Sequence, residues 1–223
     1  MSVCPYANLR FGPAPNDRPY TVIDMVATID GKIVSGERGE DVGDLGSDVD
    51  HAVMRMLQDT VDGVLIGAGT LRATPSGWDP KTRFRVVVSK SGKVDTGHSF
   101  FRGAGAFVAL PTGVPFAVEN GVHPLLAGAD DLDPIRVVRE LREMGCESLL
   151  ILGGSRTNGT FLRAELVDEL FLTVAPKIKL GQGLPTIAEG DPFPREALLK
   201  FELVEHHALG SEIFLRYRRD AKR

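Results

Sequence analysis

Two short apolar runs end abruptly on glycine, and they constrain the fold of this chain more than any other feature. Val64-Leu65-Ile66 leads into Gly67-Ala68-Gly69-Thr70, and Leu149-Leu150-Ile151-Leu152 leads into Gly153-Gly154-Ser155-Arg156-Thr157-Asn158-Gly159. A strand that is apolar at every position, rather than at every second one, has to be covered on both faces. That is the condition of a mostly parallel sheet with helices on either side. Residues 20–27, 84–88 and 169–175 are further runs of this kind. Between them the apolar spacing turns helical. Ser47 followed by Asp50 resembles a capping box, and with Val49, Val53, Met56 and Leu57 behind it predicts a helix over 48–59. Pro134 opens a second helix that ends at Gly145, and a short third is expected over 157–164. The second strand is expected over 61–67, Ile33-Val34 can resume the first, and 106–110 and 114–118 are candidate strands in a stretch that is otherwise hard to place. Residues 201–206 and 213–217 flank a turn at 208–211 and read as a terminal antiparallel hairpin. Residues 1–18 read as an irregular arm. With no linker and no internal repeat, 1–223 is expected to form one α/β domain.

Composition closes off other classes. Lys plus Arg is 26 and Asp plus Glu is 30, a net charge of -4, which supplies no field for nucleic acid or an anionic membrane. Basic residues gather at the end (Arg216, Arg218, Arg219, Lys222, Arg223), where a solvated terminus is the simplest reading. Cys4 and Cys146 form no C-x-x-C, and the adjacent His206 and His207 point to opposite faces of a strand, so neither a disulfide framework nor a metal site is encoded. No apolar stretch matches a signal peptide or a membrane span, and a soluble cytoplasmic protein is the expectation.

The two glycine turns are where chemistry is expected. Glycine lets backbone come close to a ligand, and N–H groups opening a helix make an anion site. Either turn alone occurs without a ligand; two at the carboxyl ends of neighbouring strands favour a phosphate-bearing one. GAGTLR lacks the third glycine of a dinucleotide fingerprint, and neither Gly31-Lys32 nor Gly92-Lys93 completes a Walker loop. There is no G-x-S-x-G elbow, and no tyrosine is followed by lysine four residues on. With so few side chains able to act as nucleophile or base, a hydride-transfer cofactor is expected to bring the chemistry.

Five motifs then stand in a familiar order: Met25-Val26-Ala27-Thr28-Ile29-Asp30-Gly31-Lys32, Asp62-Gly63-Val64-Leu65-Ile66-Gly67-Ala68-Gly69-Thr70-Leu71-Arg72, Gly153-Gly154-Ser155 with Asn158-Gly159, Leu166-Val167-Asp168-Glu169-Leu170, and Ala175-Pro176-Lys177. Together, over about residues 20–218, the chain resembles the pyrimidine reductase domain of riboflavin biosynthesis and its stand-alone relatives. The resemblance implies a dihydrofolate-reductase-like three-layer fold, NADPH, a homodimer, and reduction of the ribosyl group of a phosphoribosylamino-pyrimidine to ribityl. It implies that Gly67, Gly69 and Thr70 meet the nicotinamide and pyrophosphate, and that Gly153, Gly154, Ser155, Arg156 and Thr157 form a second diphosphate turn. Ser89 and Lys90, with Ser91, stand where the 2′-phosphate of the cofactor lies; a solvated loop is the plainer reading of the same residues. Asp30 resembles an aspartate beside the reacting centre that supplies or relays a proton, and equally fits an Asx turn holding the Asp-Gly bend.

Substrate motifs depart from the pattern. The resemblance places substrate against Thr28, Asp44, Ser47 and Leu152, yet the family usually has glutamate at 152 and often tryptophan at 44. A phosphate-holding arginine is replaced by Gln58, and Arg55, one turn earlier, is the candidate substitute. An acidic pair before proline is here Ala73-Thr74. Three readings follow: the riboflavin-precursor reductase; a reductase of another small heterocycle, such as a pterin or dihydrofolate; and a non-catalytic nucleotide-binding relative. No deaminase zinc motif is present.

Overall fold

The computed structural model describes residues 5–6 and 9–220; Cys4, Lys222 and Arg223 lie outside them. Its elements are β1 (Tyr20–Thr28), α1 (Asp48–Thr60), β2 (Gly63–Gly67), α2 (Ala68–Ala73), β3 (Phe84–Val88), β4 (Ala106–Leu110), β5 (Val122–Leu126), α3 (Pro134–Glu143), β6 (Ser148–Ile151), α4 (Ser155–Arg163), β7 (Glu169–Ala175), β8 (Phe201–Leu209) and β9 (Glu212–Arg219). All nine strands share one sheet in the order β5-β4-β3-β2-β6-β1-β7-β9-β8. It is parallel from β5 to β7 and antiparallel at β9 and β8. Gly210 at φ +61 turns the hairpin, a left-handed conformation that suits glycine.

Two apolar layers confirm the sandwich. On one face Val53 and Leu57 of α1 and Leu71 of α2 pack with Val22, Val64, Ile66, Leu150 and Phe171; on the other Val137, Val138 and Leu141 of α3 and Phe161 of α4 pack with Ile23, Leu65, Val86 and Ile151. Alternate residues of each central strand feed opposite layers, which is why the runs are apolar throughout. The described part of the N-terminal arm is irregular but docked: Tyr6 is buried edge-on against Phe171, Phe11 stacks on Tyr20, and Arg18 pairs with Asp168 at 2.6 Å.

Several boundaries differ from the sequence reading. Ile33-Val34 forms no strand, Ile33 N donating instead to Pro185 O. Val61 caps the end of α1, so β2 starts at Gly63. The strand expected at 114–118 lies at Val122–Leu126, directly after Gly121 in the left-handed conformation at φ +74. Ala68–Ala73, read as a turn, is a helix, and α4 starts at Ser155, directly on the double glycine. Ser47 caps α1 as expected, accepting from Val49 N and Asp50 N, but the reciprocal bond of the box comes from elsewhere: Ser47 N donates to Glu212 at 3.0 Å. The carboxylate of Asp50 instead lies against Gly46 and bonds the Thr173 hydroxyl.

Candidate active site

β6 is the shortest strand of the sheet's centre and stops between two longer neighbours. Its last pair with β1 is Ile23–Ile151, after which β1 runs on to Thr28 bonded only to β7. On the other side Leu152 N donates to Leu65 O at 3.0 Å and Gly67 N to Gly153 O at 2.7 Å. The sheet therefore splits beyond Ile151, and both glycine turns sit at the split, bonded to each other.

The glycines are required by that contact. A methyl group on Gly67 would stand 2.5 Å from Thr157 Oγ1, and one on Gly154 would stand 3.3 Å from Thr70 Oγ1. Gly153 has φ +81 and lies over Met25. Gly67 and Gly154 are the N-caps of α2 and α4, and neither helix has a side-chain cap. Two sets of first-turn N–H groups, with the positive ends of both helices, thus face one place with their donors unspent. Gly67, Thr70, Gly153, Gly154 and Thr157 form one surface, and Gly69 is exposed beside it.

Other expected cofactor contacts carry partners of their own. Ser155 Oγ donates to Glu189 Oε2 at 2.7 Å, and Arg38 donates to both Glu189 oxygens at 3.0 and 2.8 Å. Arg156 is exposed. Lys90 is exposed and pairs with Asp131 at 2.8 Å, while Ser89 is buried. Arg38, Glu189 and Asp131 were not foreseen. The available signal for Glu189 was Gly159: a glycine inside a helix is explained by the Glu189 carbonyl lying where a Cβ would be.

Asp30 holds a turn. Its carboxylate accepts from Thr28 Oγ1 at 2.6 Å, Lys179 N at 3.0 Å and Leu180 N at 2.9 Å. The Thr28 hydroxyl and those backbone donors hold its carboxyl down at about 2. These bonds tie the Asp30-Gly31 bend to the 179–180 segment rather than closing an Asx turn on its own chain, since Lys32 N donates to Thr28 instead. Thr28 is buried and also accepts from Lys32 N at 2.8 Å. Asp44 accepts from Ser35, and its carbonyl and that of Leu45 accept from Lys177 Nζ. Ser47 Oγ donates to Glu212. The loop over 35–46 is tied down at both ends by these bonds.

The expected arginine substitution does not form. Gln58 is buried and accepts from Trp78 Nε1 at 3.3 Å, whereas Arg55 is exposed, so the two do not present one face. Gln58 also lies about 16 Å along α1 from Ser47, taking about 1.5 Å per residue. Leu152, half-buried, packs on the α1 layer. Next to it the structure places a carboxylate that the sequence reading passed over. Asp24, in the middle of an otherwise apolar strand, is 7% exposed, and Asp50 on α1 is 8% exposed. Burial, and then Asp50, push the Asp24 carboxyl up; burial likewise raises Asp50, opposed by the Thr173 hydroxyl and helped by Glu212. The signal was present: one charged residue within YTVIDMVAT.

A parallel sheet opened at a short central strand, with two uncapped helices over the opening, places the chain among dihydrofolate-reductase-like α/β proteins. Residues 19–215 match the RibD C-terminal domain family, and the chain belongs to it. The chain is 27% identical over 213 residues to the 2,5-diamino-6-ribosylamino-4(3H)-pyrimidinone 5′-phosphate reductase of Aquifex aeolicus, covering 88% of this chain and 95% of that one. In structure it is similar to a pyrimidine reductase-like protein from Corynebacterium diphtheriae (TM-score 0.74, 19% identity, 98% of each chain). It is also similar to RibD of Acinetobacter baumannii (TM-score 0.72, 19% identity), covering 92% of this chain but only 58% of that longer one. Among the described residues no helix is long and apolar enough to cross a membrane, and no group of three or more His, Cys, Asp or Glu is placed to hold a metal ion.

Proposed function

We infer that this chain is an NADPH-dependent oxidoreductase that reduces the ribosyl group of a ribosylaminopyrimidine 5′-phosphate to ribityl. The observation that carries the reading is the joined pair of glycine turns at the sheet split. Their missing Cβ atoms and uncapped first-turn N–H groups leave a cradle that a diphosphate fits. The similarity to the Aquifex reductase over almost its whole length supports the substrate class. When bound, the dinucleotide supplies a hydride. Gly67, Gly69, Thr70, Gly153 and Gly154 hold its diphosphate and nicotinamide end, and Arg156 and Thr157 flank them. Ser155 joins them once its hydroxyl leaves Glu189. Ser89 and Lys90 take the 2′-phosphate, Lys90 exchanging Asp131 for a stronger anion. Thr28, Asp44 and Ser47 shape the substrate wall through the turn and loop they anchor.

The protein works as a homodimer in this reading. Leu170, Leu172 and Val174 of β7 stand opposite Tyr217, Leu215 and Ile213 of β9 on one face of the sheet, and Leu203 of β8 continues the row. Ile213 is 45% and Leu203 50% exposed. An apolar sheet face of this extent suits a second copy of the chain.

The test follows loss of NADPH absorbance with the ribosylated diaminopyrimidinone 5′-phosphate and with its deaminated uracil counterpart, beside dihydrofolate. Turnover of either ribosylated pyrimidine is expected. Turnover of dihydrofolate alone would replace this reading by the other-heterocycle one.

A further inference from the structure

Residues 29–47 join the end of β1 to α1, and they take a detour. α1 packs on one face of the sheet and α4 on the other. Yet Arg38, midway along this loop, pairs with Glu189, which is itself bonded to Ser155 in the first turn of α4. To leave β1, meet the α4 side and return to α1, the loop has to span the carboxyl edge of the sheet beside the split, where the two glycine turns join. Its ends are anchored. Val34 and Leu45 are buried, Ser35 donates to Asp44, and Lys177 Nζ donates to the carbonyls of Asp44 and Leu45. Between those anchors residues 37–41 are exposed. Glu37 N donates to the Glu40 carboxylate, Glu40 N to Glu37 O, and Gly43 N to Asp41, all within the loop. Among the described hydrogen bonds and ion pairs, only those of Arg38 tie residues 36–43 to another part of the fold.

The two halves of the pair differ in rigidity. Glu189 is fixed: its N–H donates to Ser155 O at 3.0 Å, Asn158 Nδ2 donates to Ile187 O at 2.7 Å, and the Glu189 carbonyl fills the space a Cβ at Gly159 would take. The Ser155 hydroxyl then orients the carboxylate. Arg38, with help from Ser155, holds that carboxyl below its usual range, so the pair is charged at neutral pH. Arg38 has no such frame. Gly39 beside it stands at φ +94 with nothing near the position of a Cβ, and Gly36 and Gly43 flank the exposed stretch. A guanidinium on both oxygens of one carboxylate, at 3.0 and 2.8 Å, is the strong and directional form of an ion pair. One such contact between a fixed acid and an otherwise untied loop across an opening is the construction of a latch.

We propose that Arg38 and Glu189 latch residues 36–43 over the mouth of the split, so that the dinucleotide enters and leaves when the pair opens. The proposal rests on the dinucleotide reading of the glycine turns given above. Arg38 and Glu189 act as positioning residues: they set the rate of passage. Opening is a step common to entry and exit, so breaking the latch speeds both and leaves the affinity nearly unchanged.

The experiment follows NADPH fluorescence by stopped flow in the wild type, Glu189→Gln and Arg38→Met. Glu189→Gln keeps an acceptor for Ser155, and Arg38→Met keeps an unbranched stem. Association and dissociation rates are both expected to rise about fivefold, the scale of one exposed ion pair, with Kd held within about twofold. Unchanged rates overturn the proposal. So does a Kd weakened through dissociation alone, which marks a direct contact with the ligand. A second measurement needs no ligand. Cleavage of the exposed loop after Glu37 or Glu40 by a glutamate-specific protease tracks the open population. It should be about fivefold faster in both variants than in the wild type, and equal cleavage overturns the latch. If NADPH fails to bind the wild type, the dinucleotide reading fails by itself, and the cleavage rates then decide whether the pair holds the loop closed.

Discussion

Glu169 and Asp24 are carboxylates sunk into adjacent strands of one sheet, and they live in opposite circumstances. Glu169, fully buried at the start of β7, accepts from Tyr20 at 2.9 Å, from Arg216 at 2.8 and 3.1 Å, and from Arg218 at 2.9 Å. Asp24, at the sheet split, accepts no hydrogen bond from a described residue and has Asp50 beside it. The first arrangement is complete within the chain and closes the junction between β1, β7 and β9. Buried charge by itself says little about stability; whether the chain has supplied its donors decides whether a sunken carboxylate stabilises or costs.

The two sites should therefore respond to mutation in opposite directions. Removing Glu169 leaves the buried Arg216 guanidinium, 8% exposed, with only Glu205 at 3.5 Å and the Arg10 carbonyl at 3.2 Å as partners. Glu169→Ala should cost about 3–5 kcal/mol in denaturant unfolding. An unchanged midpoint would dissolve the contrast. Gly67→Ala drives a methyl against Thr157 Oγ1 and should cost about 1–3 kcal/mol together with weaker NADPH binding. Adding Thr157→Ala should restore much of the stability, because the two sites are in contact and not additive. Asp24→Asn should raise stability at neutral pH. For an acid whose folded value lies above 3.8, the folded state binds the extra proton, so stability is fully present below 3.8 and is lost as pH climbs through the raised value. The wild type should lose stability over that rise and the variant should lose less. Asp30 has the reverse sign: with its folded value at about 2, its contribution is present above 3.8 and disappears as pH falls toward 2. Asp30→Asn should leave kcat largely intact while making acid unfolding less steep in that window; a collapse of kcat alone would restore the proton-donor role. The smallest effect is expected at the exposed Lys90–Asp131 pair. Lys90→Ala should change stability by no more than about 0.5 kcal/mol, yet lower the preference for NADPH over NADH. An unaltered preference would remove Lys90 from the cofactor site.

Legibility varied with how local the cause was. The central strands, α1 with its Ser47 cap, α3 behind Pro134 and the terminal hairpin were readable because run length, capping and turn residues act within a few positions. Ala68–Ala73 was missed because Ala-Gly-Thr carries no capping side chain, and its helix forms against β2 and β3 rather than from its own propensity. At the site, the glycine turns were visible in the sequence, but their contact was not, since Gly67 and Gly153 are 86 positions apart. Separation along the chain likewise hid the partners of Ser155, Asp30 and Ser47, which come from residues 189, 179–180 and 212.

The amino-acid sequence alone determined the fold class and the places where backbone opens to a ligand, because apolar periodicity and glycine are properties of a position and its immediate neighbours. Tertiary structure decided which polar groups are already spent and which are not. It matched Glu169 with its arginines, tied Asp30 to residues 179–180 and Ser47 to Glu212, and left Asp24 with no donor among the described residues. Hydrogen bonds are pairings in space, and in a parallel sheet the partners at one strand end come from segments far apart along the chain.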